Sequence, residues 1–482
     1  MPQVAFGGGA TETALGPNTA LALGLVLVLI FVLPRKYILM PALLGVFLIP
    51  QGNVLVLGGV HFQPARIISF VGWIRLIVLR FVSREKLLRV PWNSVDTVFT
   101  LWAFTRSTAV VLLWMNKPAL INEVGHLWTT LGMYFLLRSL LHDDKDAQTL
   151  IKVFAVIAVL NGAGMLYEHF RVQNLFSSYL GGVQSVPSIR DGTVRSQGAF
   201  QHAILAGTFG TTLLPLLAWL WKSGKQKVFV VLGFVGAVAM LLTSGSSTPI
   251  MACTGSLIAL CFWPLRSHMR VVRWIIVFTL IALHMVMKAP VWFLIAHVDV
   301  TGSSTGYFRA TLIDQFIKHF SDWWLIGTNN NANWGEDMWD LSNQFVAEGF
   351  SGGLLTLIFF ISIISKCFGR IGLGRKKVKR DRRQEWLLWL LGVTLFGHIM
   401  VYFGVSYWDQ MWCAWAALLA VISAVTAKRL SVPSRQDIPE IETAQYIYGT
   451  ETCDLGAFPR SHPELAATSL THTRGFAAGA QR

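Results

Sequence analysis

Two arginines in this sequence are set in segments suited to phosphate chemistry. Arg195 opens RSQGAFQHAILAG, just ahead of an apolar run, and Arg309 lies in TGYFRATLIDQF. A guanidinium offers a planar fork of donors that fits phosphate oxygens in pairs, and it keeps its charge at physiological pH. Two forks reaching one diphosphate from separate segments would stabilise it as it leaves. An arginine at head-group depth also snorkels to ordinary lipid phosphates, so residue type alone leaves both uses open. Arg190 is close to Arg195 in sequence, and His202 is placed just inside the next apolar run. A lone histidine there is either a satisfied interior residue or a proton carrier. After Arg309, Trp323, Trp324, Trp334 and Trp339 alternate with Asn329, Asn330, Asn331 and Asn333 and with Glu336, Asp337 and Asp340. Aromatic faces interleaved with amides suit sugar rings, and equally suit an interfacial tryptophan belt around a polar turn. The carboxylates are candidates for a general base or for cation ligands, but the spacing of an EF-hand calcium loop is absent.

The elements that must position these residues are membrane helices. Of 482 residues 54% are hydrophobic and only 13% charged, with a mean hydropathy of +0.53; soluble chains carry about 25% charged residues. The apolar residues fall in runs of about 17 to 22, the length that crosses a hydrocarbon core as a helix. Soluble enzyme classes are excluded. The expected fold is all-α, a polytopic bundle of about 12–13 transmembrane helices over residues 1–427. The spans are placed at 18–34, 37–51, 63–80, 94–115, 119–138, 151–170, 200–221, 228–243, 247–265, 272–290, 350–368, 385–404 and 409–427. A large loop at 291–349 carries a helix in the interface plane, because Phe308, Leu312, Ile313, Phe316, Ile317 and Phe320 recur at helical spacing. Residues 428–482 read as a polar, disordered cytoplasmic tail.

The net charge of +15 reports topology and not a nucleic-acid partner. Alternating the spans puts Arg35 and Lys36, Arg80 to Arg89, Arg138 to Lys152, Lys222 to Lys227, Arg266 to Arg273, and GRKKVKRDRR on one side. By the excess of Lys and Arg that side is cytoplasmic. The opposite side holds Arg190, Arg195 and Arg309 with few other cations. The first twenty residues contain no Lys or Arg, so the first apolar run reads as a retained anchor instead of a signal peptide. The five cysteines form no CxxC pair, which argues against a disulfide framework or a zinc site. No GxxxxGKS motif supports nucleotide-driven transport. Arg75 and Arg106 fall inside spans and are expected to pair across helices.

Three segments, taken in order, resemble the O-antigen ligase and O-antigen polymerase superfamily: RSQGAFQHAILAGTFG, LLTSGSSTPIMACTGS, and YFRATLIDQF…WWLIGT…DLSNQFVAEGFSGGLLTLI. The resemblance covers roughly residues 190–370. It implies an inner-membrane glycosyltransferase acting on its periplasmic face in surface-polysaccharide biosynthesis, as polymerase or ligase. Such a protein moves a saccharide from a polyprenyl-diphosphate-linked glycan to a hydroxyl of an acceptor glycan or lipid, with inversion and with no cofactor or metal. Its implied partners are the lipid bilayer and other polysaccharide-assembly proteins. Arg195 and Arg309 match the family's essential arginines, with the implied role of holding the carrier diphosphate. His202 matches a histidine often present after the glycine–aromatic step, and Asn343 matches the asparagine of a His-Asn pair. Here Ser342 replaces the histidine that would activate the acceptor, and serine is no base at neutral pH without help. Asp340 is the nearest replacement, with Arg190 and Trp334 as further substrate contacts. The alternative is a non-catalytic membrane partner or a transporter of lipid-linked glycan.

Overall fold

The computed structural model describes residues 12–223, 227–297, 305–379 and 381–430. The expected apolar runs become helices. The first half comprises α1 Pro17–Val32, α2 Leu39–Leu48, α3 Pro64–Ser83, α4 Ser94–Trp114, α5 Lys117–Leu127, α6 Met133–Leu140, α7 Asp144–Arg171 and the short α8 Leu175–Leu180. The second comprises α9 Ala203–Ser223, α10 Lys227–Thr243, α11 Ser247–Cys261, α12 Met269–Val286, α13 Leu294–His297, α14 Thr305–Lys318, α15 Phe320–Trp323, α16 Gln344–Lys377, α17 Arg382–Tyr402 and α18 Gln410–Leu430. Among the described residues strands are few and short: β1 Thr13–Ala14, β2 Asn53–Leu57 and β3 Val60–Phe62 form one sheet, β4 Ser188–Arg190 and β5 Thr193–Arg195 a hairpin.

Among the described residues seven helices, α4, α7, α9, α12, α16, α17 and α18, are long and apolar enough to cross a membrane, and α1, α10 and α11 are apolar but shorter. Three expected spans come out differently. Helix α3 has the length, but with Arg66, Arg75 and Arg80 along it, it is not among the helices apolar enough to cross. The run at 37–51 yields only the ten-residue α2, because Pro50 and Gly52 turn the chain into β2. The run at 119–138 is α5 and α6 joined through a π-helical stretch, Trp128–Gly132. The tail beyond Leu430 lies outside the described residues.

Close packing comes from small residues. A Cβ added to Gly236 of α10 would sit 2.5 Å from the carbonyl oxygen of Ala158 on α7, and one on Gly162 would sit 2.6 Å from that of Gly236. Backbones therefore touch along this seam, the usual way helices gain contact where lipid is the solvent. Helix α12 is the opposite case. None of its residues is buried in the protein, and an apolar surface all round a helix suits a lipid neighbour.

Two ionisable pairs inside the bundle form across helices, whereas Arg75 of α3, expected to pair, makes no ion pair among the described residues and has its Nε buried without a hydrogen-bond partner. Arg138 of α6 grips Asp96 of α4 through Nε at 2.8 Å and Nη2 at 2.7 Å, and the Tyr134 hydroxyl donates to the same carboxylate at 2.6 Å. Arg106 meets Glu123 of α5 at 3.6 Å, as the cost of a lone buried charge requires.

The loops that the charge pattern groups together meet at one end of the bundle. Arg35 bonds Glu85 and the carbonyl of Ser139; Arg429 bonds Asp144; Arg375 and Arg266 both hold Glu385; Lys222 lies over Trp386. At the other end, Asn18 and Thr19 bond the carbonyls of Tyr179 and Leu180, and Arg195 and Arg309 sit there as well.

The segment 305–343 packs a core of its own. Leu312 and Phe316 of α14 cluster with Trp323, Trp334, Met338 and Val346, and Phe316 stacks on Trp323 at 3.9 Å. This cluster is fastened to a break in α16. Gly353 has φ 75°, which interrupts the helix and frees a carbonyl and an amide. Thr328 N–H donates to Phe350 O at 2.8 Å and Leu354 N–H to Trp324 O at 2.8 Å, so the Trp324–Thr328 strap takes both freed groups.

Candidate functional site

Arg195 ends a hairpin whose turn is legible after the fact. Asp191 and Gly192 have φ 51° and 74°, the pair of positive values that a two-residue type I′ connection needs and that Asp-Gly supplies readily. The pairing of Ser188 with Arg195 then fixes where Arg195 emerges. The next residues run through the protein without helix or strand, and side chains hold their backbone. Glu168 accepts from Gln197 N at 3.1 Å and Gly198 N at 2.9 Å, Asn161 accepts from Ala199 N at 3.1 Å, and Gln410 donates to Ala199 O at 2.8 Å. Hydrogen bonds of this kind to its backbone keep a buried loop in one conformation.

Both arginines converge on the turn between α10 and α11, Thr243-Ser244-Gly245-Ser246-Ser247-Thr248. Arg195 Nη2 donates to Ser246 Oγ at 2.9 Å, and Arg309 Nη2 donates to Thr248 Oγ1 at 2.9 Å. The two acceptors are two residues apart. Each hydroxyl donates onward in turn, Ser246 to Ser244 O at 3.0 Å and Thr248 to Gly404 O at 3.5 Å. Gly245 has φ 54°, and a Cβ there would lie 3.1 Å from Arg195 Cγ, so the turn also accommodates the arginine stem. The sequence marks this stretch only as a Ser/Thr-rich helix end; nothing in it says that it seats two guanidinium groups.

The neighbouring candidates fall into two groups. Arg195 lies within electrostatic reach of both Arg190 and His202, and Arg309 within reach of Asp340. Burial and the charge of Arg190 both lower the pKa of Arg195. His202 falls one residue before α9, ahead of the span and not inside it. Burial and the charge of Arg195 hold its pKa down to about 4, so it is a neutral imidazole at physiological pH. Its ring lies 6.2 Å from Trp408. Burial raises the Asp340 carboxyl while Arg309 draws it back. Arg190 itself is largely in solvent, 3.7 Å from Asp191.

Two other candidates are placed differently. Trp334 is 1% exposed, with His319, Phe316 and Phe350 around its ring. It is a core residue of the loop and presents no open face to a sugar. The aromatic spacing could not separate it from Trp339, which is 76% exposed. Asn343 is the N-cap of α16, its Oδ1 accepting from Phe345 N at 2.9 Å and Val346 N at 3.2 Å, so its side chain is committed to starting that helix.

Sequence reasoning passed over Asp409. It lies in the turn between α17 and α18 with φ 57°, and its Oδ2 accepts from Gln201 N at 2.9 Å, beside His202. Burial raises its pKa to about 7. Two connections far apart in the chain make this contact, so no local spacing announces it. No protein-family model matches this chain, and neither does any curated protein.

Proposed function

We propose that this protein transfers a saccharide from a polyprenyl-diphosphate carrier to an acceptor hydroxyl in bacterial surface-polysaccharide assembly, at the inner membrane and on its periplasmic side. The supporting observation is the convergence of Arg195 and Arg309 on Ser246 and Thr248. Two fixed cations on one short turn suit the two phosphates of a carrier diphosphate. They act most strongly on the negative charge that develops as the bond from the sugar's anomeric carbon to phosphate breaks. The hydroxyls that orient the guanidinium groups keep them in place before substrate arrives, which spares reorganisation during the reaction. Lys and Arg gather at the end of the bundle away from this turn, which supports an outward-facing site. Two carboxylic acids adjoin the segments that carry the arginines: the charge of Arg309 acts on Asp340, and Asp409 accepts from Gln201 N.

The test uses purified protein in lipid nanodiscs with a polyprenyl-diphosphate oligosaccharide. Arg195→Ala and Arg309→Ala each lower transfer about a hundredfold to a thousandfold at matched protein levels, and the Lys variants recover little, because an ammonium cannot bind bidentately. Full transfer by both alanine variants would sink the clamp. Donor binding without turnover under every condition would favour the non-catalytic reading.

A further inference from the structure

Beside Trp408 the bundle encloses a cavity of about 220 Å³ between α3, α4, the π-helical stretch after α5, and the turn that carries Asp409. An apolar cavity of about 150 Å³ holds a benzene ring, so a six-membered sugar ring fits here. The lining is mixed in a way that suits such a ring. Arg66, Arg106 and His126 supply donors, Asp409 and Gln410 supply acceptors, and Trp408 supplies an aromatic face. Several of these groups are left unmet: His126 Nε2, Asp409 Oδ1 and Gln410 Oε1 are buried without a hydrogen-bond partner, and Arg106 Nη1 has its ion pair with Glu123 at 3.6 Å but no hydrogen bond. Three such atoms around one cavity call for a hydrogen-bonding occupant. The cavity also adjoins the clamp. Trp408 contacts His202, Asp409 holds Gln201, and Gly404 of the same turn touches Thr248.

Resting on the transferase reading above, we propose that this chamber binds the acceptor sugar and that Asp409 takes the proton from its attacking hydroxyl. As the hydroxyl oxygen bonds to the anomeric carbon of the donor, its proton passes to the Asp409 carboxylate. The bond from that carbon to phosphate breaks, and its electron pair leaves with the diphosphate held by the arginines. No further reactant is needed. A carboxylate that titrates near about 7 is suited to this exchange. The charged and titratable groups around the chamber are His202 ahead of α9, Arg66 on α3, Arg106 on α4, Glu123 and His126 on α5, Tyr407 in the turn before α18, and Cys413 on α18. Asp340 stands beside Arg309, on the side of the leaving group, where its negative charge serves the arginine.

Asp409→Asn is isosteric, tolerates a positive φ, and can still accept from Gln201. In nanodiscs, with carrier-linked donor and with oligosaccharides released from the host's own surface polysaccharide as acceptor, it lowers kcat about a hundredfold or more and leaves the donor KM unchanged. The limb of the pH profile near neutrality disappears in Asp409→Asn and survives in Asp340→Asn. Arg106→Gln and Trp408→Ala raise the acceptor KM, and Trp408→Ala removes the fluorescence response of the protein to the same oligosaccharides without donor. An unchanged kcat and pH limb in Asp409→Asn would overturn the base. An acceptor KM unmoved by both chamber variants, or no oligosaccharide binding by the unaltered protein, would overturn the subsite. Loss of transfer in Asp409→Asn with full transfer in both arginine-to-alanine variants would remove the clamp and leave the chamber standing.

Discussion

Replacing Thr248 by valine removes one oxygen from the site and almost no volume. The lost hydroxyl accepts from Arg309 Nη2 at 2.9 Å, and Thr248 is fully buried while Arg309 is 9% exposed. A hydrogen bond to a charged group contributes about 1.5–3 kcal/mol. Arg309 keeps other contacts, so the lower end applies to the orientation of its guanidinium. At 1.36 kcal/mol for each factor of ten, transfer falls about tenfold, with protein levels and donor affinity little altered. Thr248→Ser restores the oxygen and recovers most of the rate. The decisive comparison is a double-mutant cycle in nanodiscs. If the hydroxyl acts through Arg309, Thr248→Val costs nothing further once Arg309 is alanine. A tenfold loss that persists in the Arg309→Ala background, or a serine variant as slow as valine, would refute this account of the turn.

Gly236→Leu is expected to prevent tight assembly of α7 and α10, because its Cβ meets the backbone of Ala158 at 2.5 Å, where no side chain can yield. The cost exceeds the roughly 1–3 kcal/mol of ordinary overpacking, and thermal unfolding in detergent measures it. His202 makes the protein acid-sensitive: its folded pKa is about 4 against an ordinary 6.5. In that window the unfolded chain binds a proton that the folded one does not, so stability is lost as pH falls from about 6.5 toward about 4. Unfolding of His202→Gln across this range should be flatter than that of the unaltered protein; identical slopes would exclude this linkage.

Element positions were legible because a membrane span is a local property of composition. Apolar length locates α4, α7, α9, α16, α17 and α18, and the grouping of basic loops matches which loops touch. Legibility fails where a residue's role depends on a distant partner. Trp334 and Trp339 are alike in a list of aromatic residues, and only the packing of α14 against α16 separates core from surface. The arginines could be named because their charge is expensive in such a chain. Their seat on Ser246 and Thr248 could not, since the hydroxyls of a helix start look like any other cap. Asp409 was hidden for the same reason: its environment is assembled from α3, α4, α5 and α18. Pro50 and the π-helical stretch show the remaining limit, since an apolar run fixes neither where a helix stops nor how it is wound.

The break at Gly353 also works as a depth gauge. The 24 residues from Leu354 to Lys377 rise about 36 Å at 1.5 Å per residue, slightly more than the roughly 30 Å of a hydrocarbon core. Arg375, Lys376 and Lys377 mark one end of that length, and the strap from Trp324 to Thr328 is tied to the other. With α16 read as a span, a residue count along this one helix gives the distance between its basic end and the strap that holds the loop. Deleting one turn below the break would draw the whole loop about 5.4 Å toward the bilayer with every contact inside it preserved. Homologous chains in thicker or thinner membranes would be expected to differ in this stretch before they differ in the site itself.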